Sequence, residues 1–274
     1  MSIVVTGATG NVGRALVGLL AAAGEQVVAV ARRITPADVP EGVRAVPADL
    51  ADPASLRPAL AGAEALFLLA AGEQPDGVLA AARESGITKV VLLSSQGVAT
   101  RPEAYRHPAR FEEAVAASGL DWTVLRSGGM ASNVLAWAEP VRAHRTAAAP
   151  FADVALPFVA PDDVAAAAAA VLTRDGYKGA TYVLTGPEAT TPRQRAAAIA
   201  EAIGEPITFV EQSREQAHEQ MSRFMPLPVV EGTLAILGMP TEEEQRVSPD
   251  LARLLGRPGT SFASWARRNA AAFR

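Results

Sequence analysis

The sequence predicts an α/β fold centred on a doubly wound parallel sheet, and three observations carry that prediction. Short apolar runs alternate with helix-patterned segments from residue 2 to about residue 126. The runs are near-continuously apolar, as in strands covered on both faces. The first run, Ser2-Ile3-Val4-Val5-Thr6, passes directly into Gly7-Ala8-Thr9-Gly10-Asn11-Val12-Gly13. A helical pattern follows over Arg14 to Ala23, with Leu16, Val17, Leu19 and Leu20 as its apolar residues.

Strand, glycine turn and helix in that order are the context in which such a fingerprint binds a dinucleotide. Gly7 lets the chain turn off the strand. Gly10 leaves room for backbone N–H groups to approach a pyrophosphate, and Gly13 lets the helix pack close to the strand. The positive end of the helix dipole then faces the phosphates. The spacing, Gly-x-x-Gly-x-x-Gly, is one residue wider at its first step than the common form. Gly7, Thr9, Gly10, Asn11, Val12 and Gly13 are therefore candidate cofactor-binding residues.

The second strand, Glu25 to Ala31, ends in Arg32-Arg33. An acidic residue here would bind the ribose 2′-hydroxyl of NAD. Two guanidiniums instead match a 2′-phosphate and predict NADPH (NADP+) as cofactor, with NADH the weaker alternative. The other reading of the pair is solvated surface charge. Val43 to Pro47 is a third strand followed by Asp49 and Leu50. Asp49 either accepts from the adenine amino group or serves the turn. Asp52-Pro53 starts a helix to about Leu60. Glu64 to Ala71 is the fourth strand, and its small-residued exit, Leu69, Ala70 and Ala71, lies where the middle of the cofactor would pass. A helix over Pro75 to Ser85 precedes the fifth strand, Thr88 to Ser95, which closes on Ser94-Ser95.

Gln96 to Pro108 reads as a proline-broken loop. Ala109 to Ser118 reads as a helix stopped at Gly119, and Asp121 to Arg126 as the sixth strand. The right-handed crossover rule gives the order 3-2-1-4-5-6, a Rossmann arrangement. Beyond it, Gly128-Gly129-Met130 opens a helix through Trp137, and Val154 to Val159 resembles a strand. Asp162-Asp163 caps an alanine-rich helix to Leu172, and Ala180 to Leu184 is a seventh strand. Thr191-Pro192 starts a helix to Ile203, and Ile207 to Val210 is a small strand. Ser213 to Gly238 is helical with a break at Pro226 and Pro228, and Ser261 to Phe273 is a terminal helix. The organisation expected is a dinucleotide-binding domain over residues 1–132, continued by about 153–186. Residues 133–152 and 187–274 would form a smaller, mainly helical substrate-binding part.

Composition narrows the function. A net charge of −4 offers no basic field for nucleic acid. With no cysteine there is no thiolate chemistry, which fits a cytoplasmic protein. The three histidines, His107, His144 and His218, show no metal-ligand spacing. No apolar stretch is long enough to span a bilayer, so no membrane role is expected.

Four segments together resemble the NmrA-like, atypical branch of the short-chain dehydrogenase/reductase superfamily. They are Thr6-Gly7-Ala8-Thr9-Gly10-Asn11-Val12-Gly13; Ser118-Gly119-Leu120-Asp121-Trp122-Thr123-Val124-Leu125-Arg126 with Asn133; Phe158-Val159-Ala160-Pro161-Asp162-Asp163-Val164-Ala165; and Tyr182-Val183-Leu184-Thr185-Gly186-Pro187. The resemblance implies a Rossmann fold and NADP(H) binding. It also implies one of three roles: quinone reductase, ketone reductase of an aromatic antibiotic pathway such as the angucyclinone type, or non-catalytic NADP(H) sensor. In the wider superfamily a Tyr-x-x-x-Lys dyad supplies the proton. Here Tyr105 is followed four residues later by Ala109, so the lysine is missing, and Tyr105 reads as a loop residue.

Two other side chains are catalytic candidates. Ser95 ends the fifth strand at the carboxyl edge where ligands bind; its alternative role is to cap the strand or touch the cofactor, as for Ser94. His107 could act as an acid or be an exposed loop residue. Substrate-assisted protonation needs neither. The resemblance puts Gly128 and Gly129 near the nicotinamide. Met130, Trp137, Phe151, Phe158, Phe224 and Met225 are candidate walls of an apolar substrate pocket. The function expected is NADPH-dependent reduction of a ketone in an apolar, polycyclic aromatic substrate, with quinone reduction as the alternative.

Overall fold

The computed structural model describes all residues from Met1 to Arg274. Nine strands form in chain order: β1 (Ser2–Thr6), β2 (Gln26–Ala31), β3 (Arg44–Pro47), β4 (Ala65–Leu69), β5 (Lys89–Ser95), β6 (Asp121–Ser127), β7 (Thr146–Pro150), β8 (Ala180–Leu184) and β9 (Thr208–Gln212). Seven make one sheet in the order β3-β2-β1-β4-β5-β6-β8, and every pairing in it is parallel. The order expected from the sequence is present, with β8 as the seventh strand beside β6.

Period-2 alternation sorts the strand residues between two cores. Ile3, Val5, Ala29, Phe67, Val91, Leu93 and Leu125 face the helices Asn11–Ala22 and Pro161–Thr173. Val4, Val28, Leu66, Leu68, Val90, Leu92 and Val124 face the helices Pro75–Glu84 and Arg106–Ala117. The alanines of Pro161–Thr173 let it lie against Asn11–Ala22 on one side of the sheet. A third core joins Val134, Val141 and Ala147 to Ile199, Phe262, Trp265 and Phe273.

Three local expectations are corrected, and one strand is new. Val154 to Val159 is not a strand: only isolated bridges form, Leu156 with Thr190 and Val159 with Met130, because Pro157 has no N–H to donate. The chain after Met130 is a 3₁₀ segment, Ala131–Trp137, continued by the helix Ala138–His144. Residues 96–108 are not an open loop. They contain the short helix Gly97–Thr100, and the next helix already begins at Arg106. Pro108 falls in its first turn, where a missing N–H is tolerated. The strand β7 has no counterpart in the sequence reading; it pairs in parallel with β9, which lies close to the expected small strand.

At the turn after β1, Gly7 has φ +64°, and a Cβ on Gly13 would lie 2.2 Å from the Gly7 carbonyl oxygen. Thr6 Oγ1 donates to Phe67 O at 3.0 Å and accepts from Leu69 N–H at 2.9 Å, pinning β1 to β4 where the strand order reverses. Gly13→Ala is expected to destabilise the protein by about 1–3 kcal/mol through overpacking and to weaken NADPH binding. Urea denaturation and a fluorescence titration check both; wild-type values in each would refute the packing argument.

Candidate cofactor and substrate site

Two cavities open along the carboxyl ends of the strands. The first, of about 730 Å³, is lined by Thr6, Gly7, Thr9 and Gly10 after β1, by Val30 to Arg33 after β2, and by Ala48 to Ala51, Leu69, Ala71 and Gly72. It lies at the reversal between β1 and β4, where open α/β sheets bind ligands. The helix starting at Asn11 has Gly10 as its N-cap and no side-chain cap, so its first-turn N–H groups are available to an anion. Gly72, at φ +80°, would place a Cβ 2.6 Å from Leu50 O, so only glycine closes this wall.

Arg32 and Arg33 are exposed and line this cavity without a carboxylate partner. Arg14, which the sequence reading did not single out, lines it too, with Nη2 on Thr9 O at 3.3 Å. Asp49 is in the wall, but its Oδ1 accepts from Ala51 N–H at 3.0 Å, the turn role of its two alternatives. Asn11 sits at the helix start with Nδ2 donating to Ser132 Oγ at 3.1 Å; Val12 and Gly13 are buried behind it. An uncapped helix start, a glycine cradle and unpaired guanidiniums fit a phosphorylated dinucleotide.

The second cavity, of about 630 Å³, lies at the ends of β5 and β6. Ser95, Gln96, Ser127, Gly128 and Gly129 form its floor. Met130, Trp137, Phe158, Phe224 and Met225 line its walls together with Leu156, Met221 and Ile236. Phe151 is corrected: it is absent from the lining, its ring packed against Gly238, where a Cβ would meet it at 2.6 Å. Its φ of +55° turns the chain away at that point.

The catalytic candidates separate. Ser95 lines the second cavity, and its Oγ accepts from Gly97 N–H at 3.1 Å, the capping alternative. His107 lines neither cavity; its Nε2 is 2.7 Å from Gly72 O, because the helix beginning at Arg106 carries it to the outer side of the β4 exit. Ser94 is likewise held elsewhere, donating to Glu112 Oε1 at 2.5 Å, and Glu112 also takes Arg126 in a two-pronged ion pair. Ala70 is half-buried against the core and lines neither cavity.

Tyr105, set aside as a loop residue, lines the second cavity. Its ring packs on Gly97, where a Cβ would collide at 2.5 Å. Burial pushes its hydroxyl up from the ordinary tyrosine value, only partly opposed by a hydrogen bond with Thr233, so it keeps its proton at neutral pH. Beside it lies Glu244, gripped by Arg101 through two bonds of 2.9 Å. Burial pushes the Glu244 carboxyl up, but hydrogen bonds from Arg101, Thr241 and Thr100 outweigh it and hold the group below the usual carboxylate range.

Comparison with known proteins agrees with this geometry. Residues 7–175 match the family described as NAD(P)H-binding. Over 99% of both chains the sequence is 37% identical to (4-alkanoyl-5-oxo-2,5-dihydrofuran-3-yl)methyl phosphate reductase of Streptomyces griseus. Over the same share of both it is 29% identical to the NAD(P)H azoreductase of Xenophilus azovorans. The fold superposes with a TM-score of 0.80 on the NADPH complex of an Escherichia coli NADPH-dependent quinone oxidoreductase. That protein is 28% identical, with 98% of this chain and 99% of that one covered. Fold and cradle thus define an NAD(P)H-binding α/β protein. The chain belongs to that family of NAD(P)H-binding proteins.

Two outcomes are expected. Replacing Arg32 and Arg33 together with alanine weakens NADPH binding by about tenfold or more and leaves NADH nearly unchanged; equal losses for both would remove the 2′-phosphate assignment. For Glu244 the folded-state pKa is depressed, so its contribution to stability is full above the ordinary carboxylate range and is lost as pH falls through the folded value. The Tm difference between wild type and Glu244→Gln is therefore large at pH 7 and closes in acid. A gap that stays constant down to about pH 3 would contradict the assignment.

Proposed function

We propose that this chain is an NADPH-dependent reductase of a carbonyl conjugated to a flat, apolar ring system, a ketone of a polycyclic aromatic compound or a quinone. The observation that carries the reading is the second cavity. Its walls carry a cluster of apolar and aromatic side chains, and its hydroxyls belong to Ser95, Thr100, Tyr105, Ser127 and Thr233. The names of the relatives support a conjugated acceptor: an unsaturated acyl lactone, an azo compound and a quinone. The Streptomyces relative favours a place in bacterial secondary metabolism, as for the antibiotic-pathway ketoreductases.

In this reading the amides of Gly10, Asn11, Val12 and Gly13 hold the diphosphate, and Arg14, Arg32 and Arg33 take the 2′-phosphate. Leu69, Ala71 and Leu50 flank the middle of the cofactor, and Gly128 and Gly129 leave room for the nicotinamide. The reduced nicotinamide, when bound, supplies a hydride. Met130, Trp137 and Phe158 hold the acceptor ring flat and keep water away from it. Tyr105 offers a hydrogen bond from a hydroxyl that no lysine activates, since Ala109 stands where one would be. Delocalisation of the arriving charge over the conjugated system makes that weak help sufficient.

The experiment is NADPH oxidation, followed at the nicotinamide absorbance, against simple quinones and polycyclic aromatic ketones. Turnover of a ketone with its alcohol identified supports the leading reading, and turnover of quinones alone moves it to quinone reduction. No turnover, combined with unequal affinities for NADP+ and NADPH, would replace it with the sensing reading. Tyr105→Phe and Ser95→Ala are each expected to lower kcat by about tenfold or less. A loss of about a hundredfold or more in either would mean a dedicated acid and contradict weak acid help.

A further inference from the structure

Arg195 and Glu244 are the charged residues lining the second cavity, and only Arg195 lacks a counter-ion. It lies on the helix Pro192–Ile203, lines the cavity and is only 4% exposed. It has no carboxylate within ion-pair distance, unlike Glu244 in the same wall, which Arg101 neutralises. Its Nη1 donates to Thr190 O at 3.1 Å, while Nε is buried without a hydrogen-bond partner. The neighbouring Thr190 Oγ1 is likewise buried and unpartnered. Burial pushes the guanidinium pKa down to about 9, so the group remains a cation at pH 7.

A buried cation without a counter-ion is strongly unfavourable unless something compensates. Part of the compensation is visible. The guanidinium carbon stands 3.8 Å from the centroid of the Phe158 ring. Phe158 is itself fixed: a Cβ on Gly129 would meet its ring at 2.8 Å, and one on Gly186 would meet its carbonyl oxygen at 2.1 Å. The guanidinium is therefore held in one plane at the wall of the cavity, with donor capacity unspent. A planar donor set of this kind matches the oxygens of a carboxylate or phosphate.

We propose that Arg195 is an anion anchor, and that the substrate of this reductase is an apolar ring system bearing a carboxylate or phosphate group that pairs with it. The inference rests on the second cavity being the acceptor site. Arg195 fixes which end of the ring system enters first, and thereby which carbonyl comes to the β5 end of the cavity.

The test uses the protein saturated with NADP+, so that no reduction occurs, and follows quenching of tryptophan emission, Trp137 being in the cavity wall. The probes are anthraquinone-2-carboxylate and its neutral carboxamide. Wild type is expected to bind the carboxylate about tenfold to a hundredfold more tightly. Arg195→Met is expected to lose that preference while keeping its affinity for the carboxamide, and Arg195→Lys to retain a preference. Equal binding of the two probes by wild type would overturn the anchor and leave the acceptor site standing. Binding of neither would overturn the acceptor site and the anchor with it. A preference that survives in Arg195→Met would assign the anion to another cation. Should Arg195→Met fail to fold, the wild-type comparison and Arg195→Lys decide the matter.

Discussion

The approach of one helix to one turn sets the rest of this molecule. Because Gly13 has no side chain, the helix Asn11–Ala22 lies against the Gly7 carbonyl at a distance no other residue permits. That contact aims an uncapped helix start at the point where β1 and β4 diverge. Thr6 fastens the same two strands from beneath, through Phe67 and Leu69. The alanine-rich helix Pro161–Thr173 packs beside Asn11–Ala22 on the same face of the sheet. Backbone donors held this way need no reorganisation to receive a phosphate, which is what makes a glycine turn a binding site rather than a bend.

The two cavities differ in how they treat charge. At the first, Arg14, Arg32 and Arg33 stand in or near solvent, where an unpaired cation is inexpensive and free to meet a phosphate. At the second, charge is confined. Glu244 is tied to Arg101, and Arg195 is pressed on the Phe158 ring. A partly buried wall with aromatic side chains strengthens the polar contacts made within it. One hydroxyl or one guanidinium can therefore orient a ligand there more firmly than several would at the first cavity.

The strands were legible because their burial on both faces leaves an apolar record, and the glycine fingerprint because its spacing is dictated by backbone contact. The misread residues share a different property. Tyr105 is indeed outside any helix or strand, but its place in the cavity wall depends on packing against Gly97 and a hydrogen bond with Thr233, contacts no local pattern shows. Pro102 and Pro108 disguised the start of the helix that follows it. Nothing in the sequence singles out Arg195; its place becomes visible only when the Phe158 ring is set beside it. His107, adjacent to the cavity in sequence, is carried away by a single helical turn. The strand β7, Thr146–Pro150, offers only three alanines between a threonine and a proline, and its partner β9 lies about sixty residues on, so no local pattern announces it. Residues that form the sheet are dictated by their neighbours in the chain; residues that choose a substrate are dictated by neighbours in space.

The missing lysine follows from the same division. A lysine four residues after Tyr105 would lower the tyrosine pKa and make it a stronger acid, which an isolated ketone requires because its oxygen takes the whole of the arriving charge. Here burial pushes the hydroxyl the other way, and the cavity offers aromatic area instead. An acceptor that spreads the charge over a ring system has little use for the acid and much use for a wall that holds the ring flat. The alanine at position 109 and the aromatic wall are thus the two features on which the proposed conjugated acceptor rests.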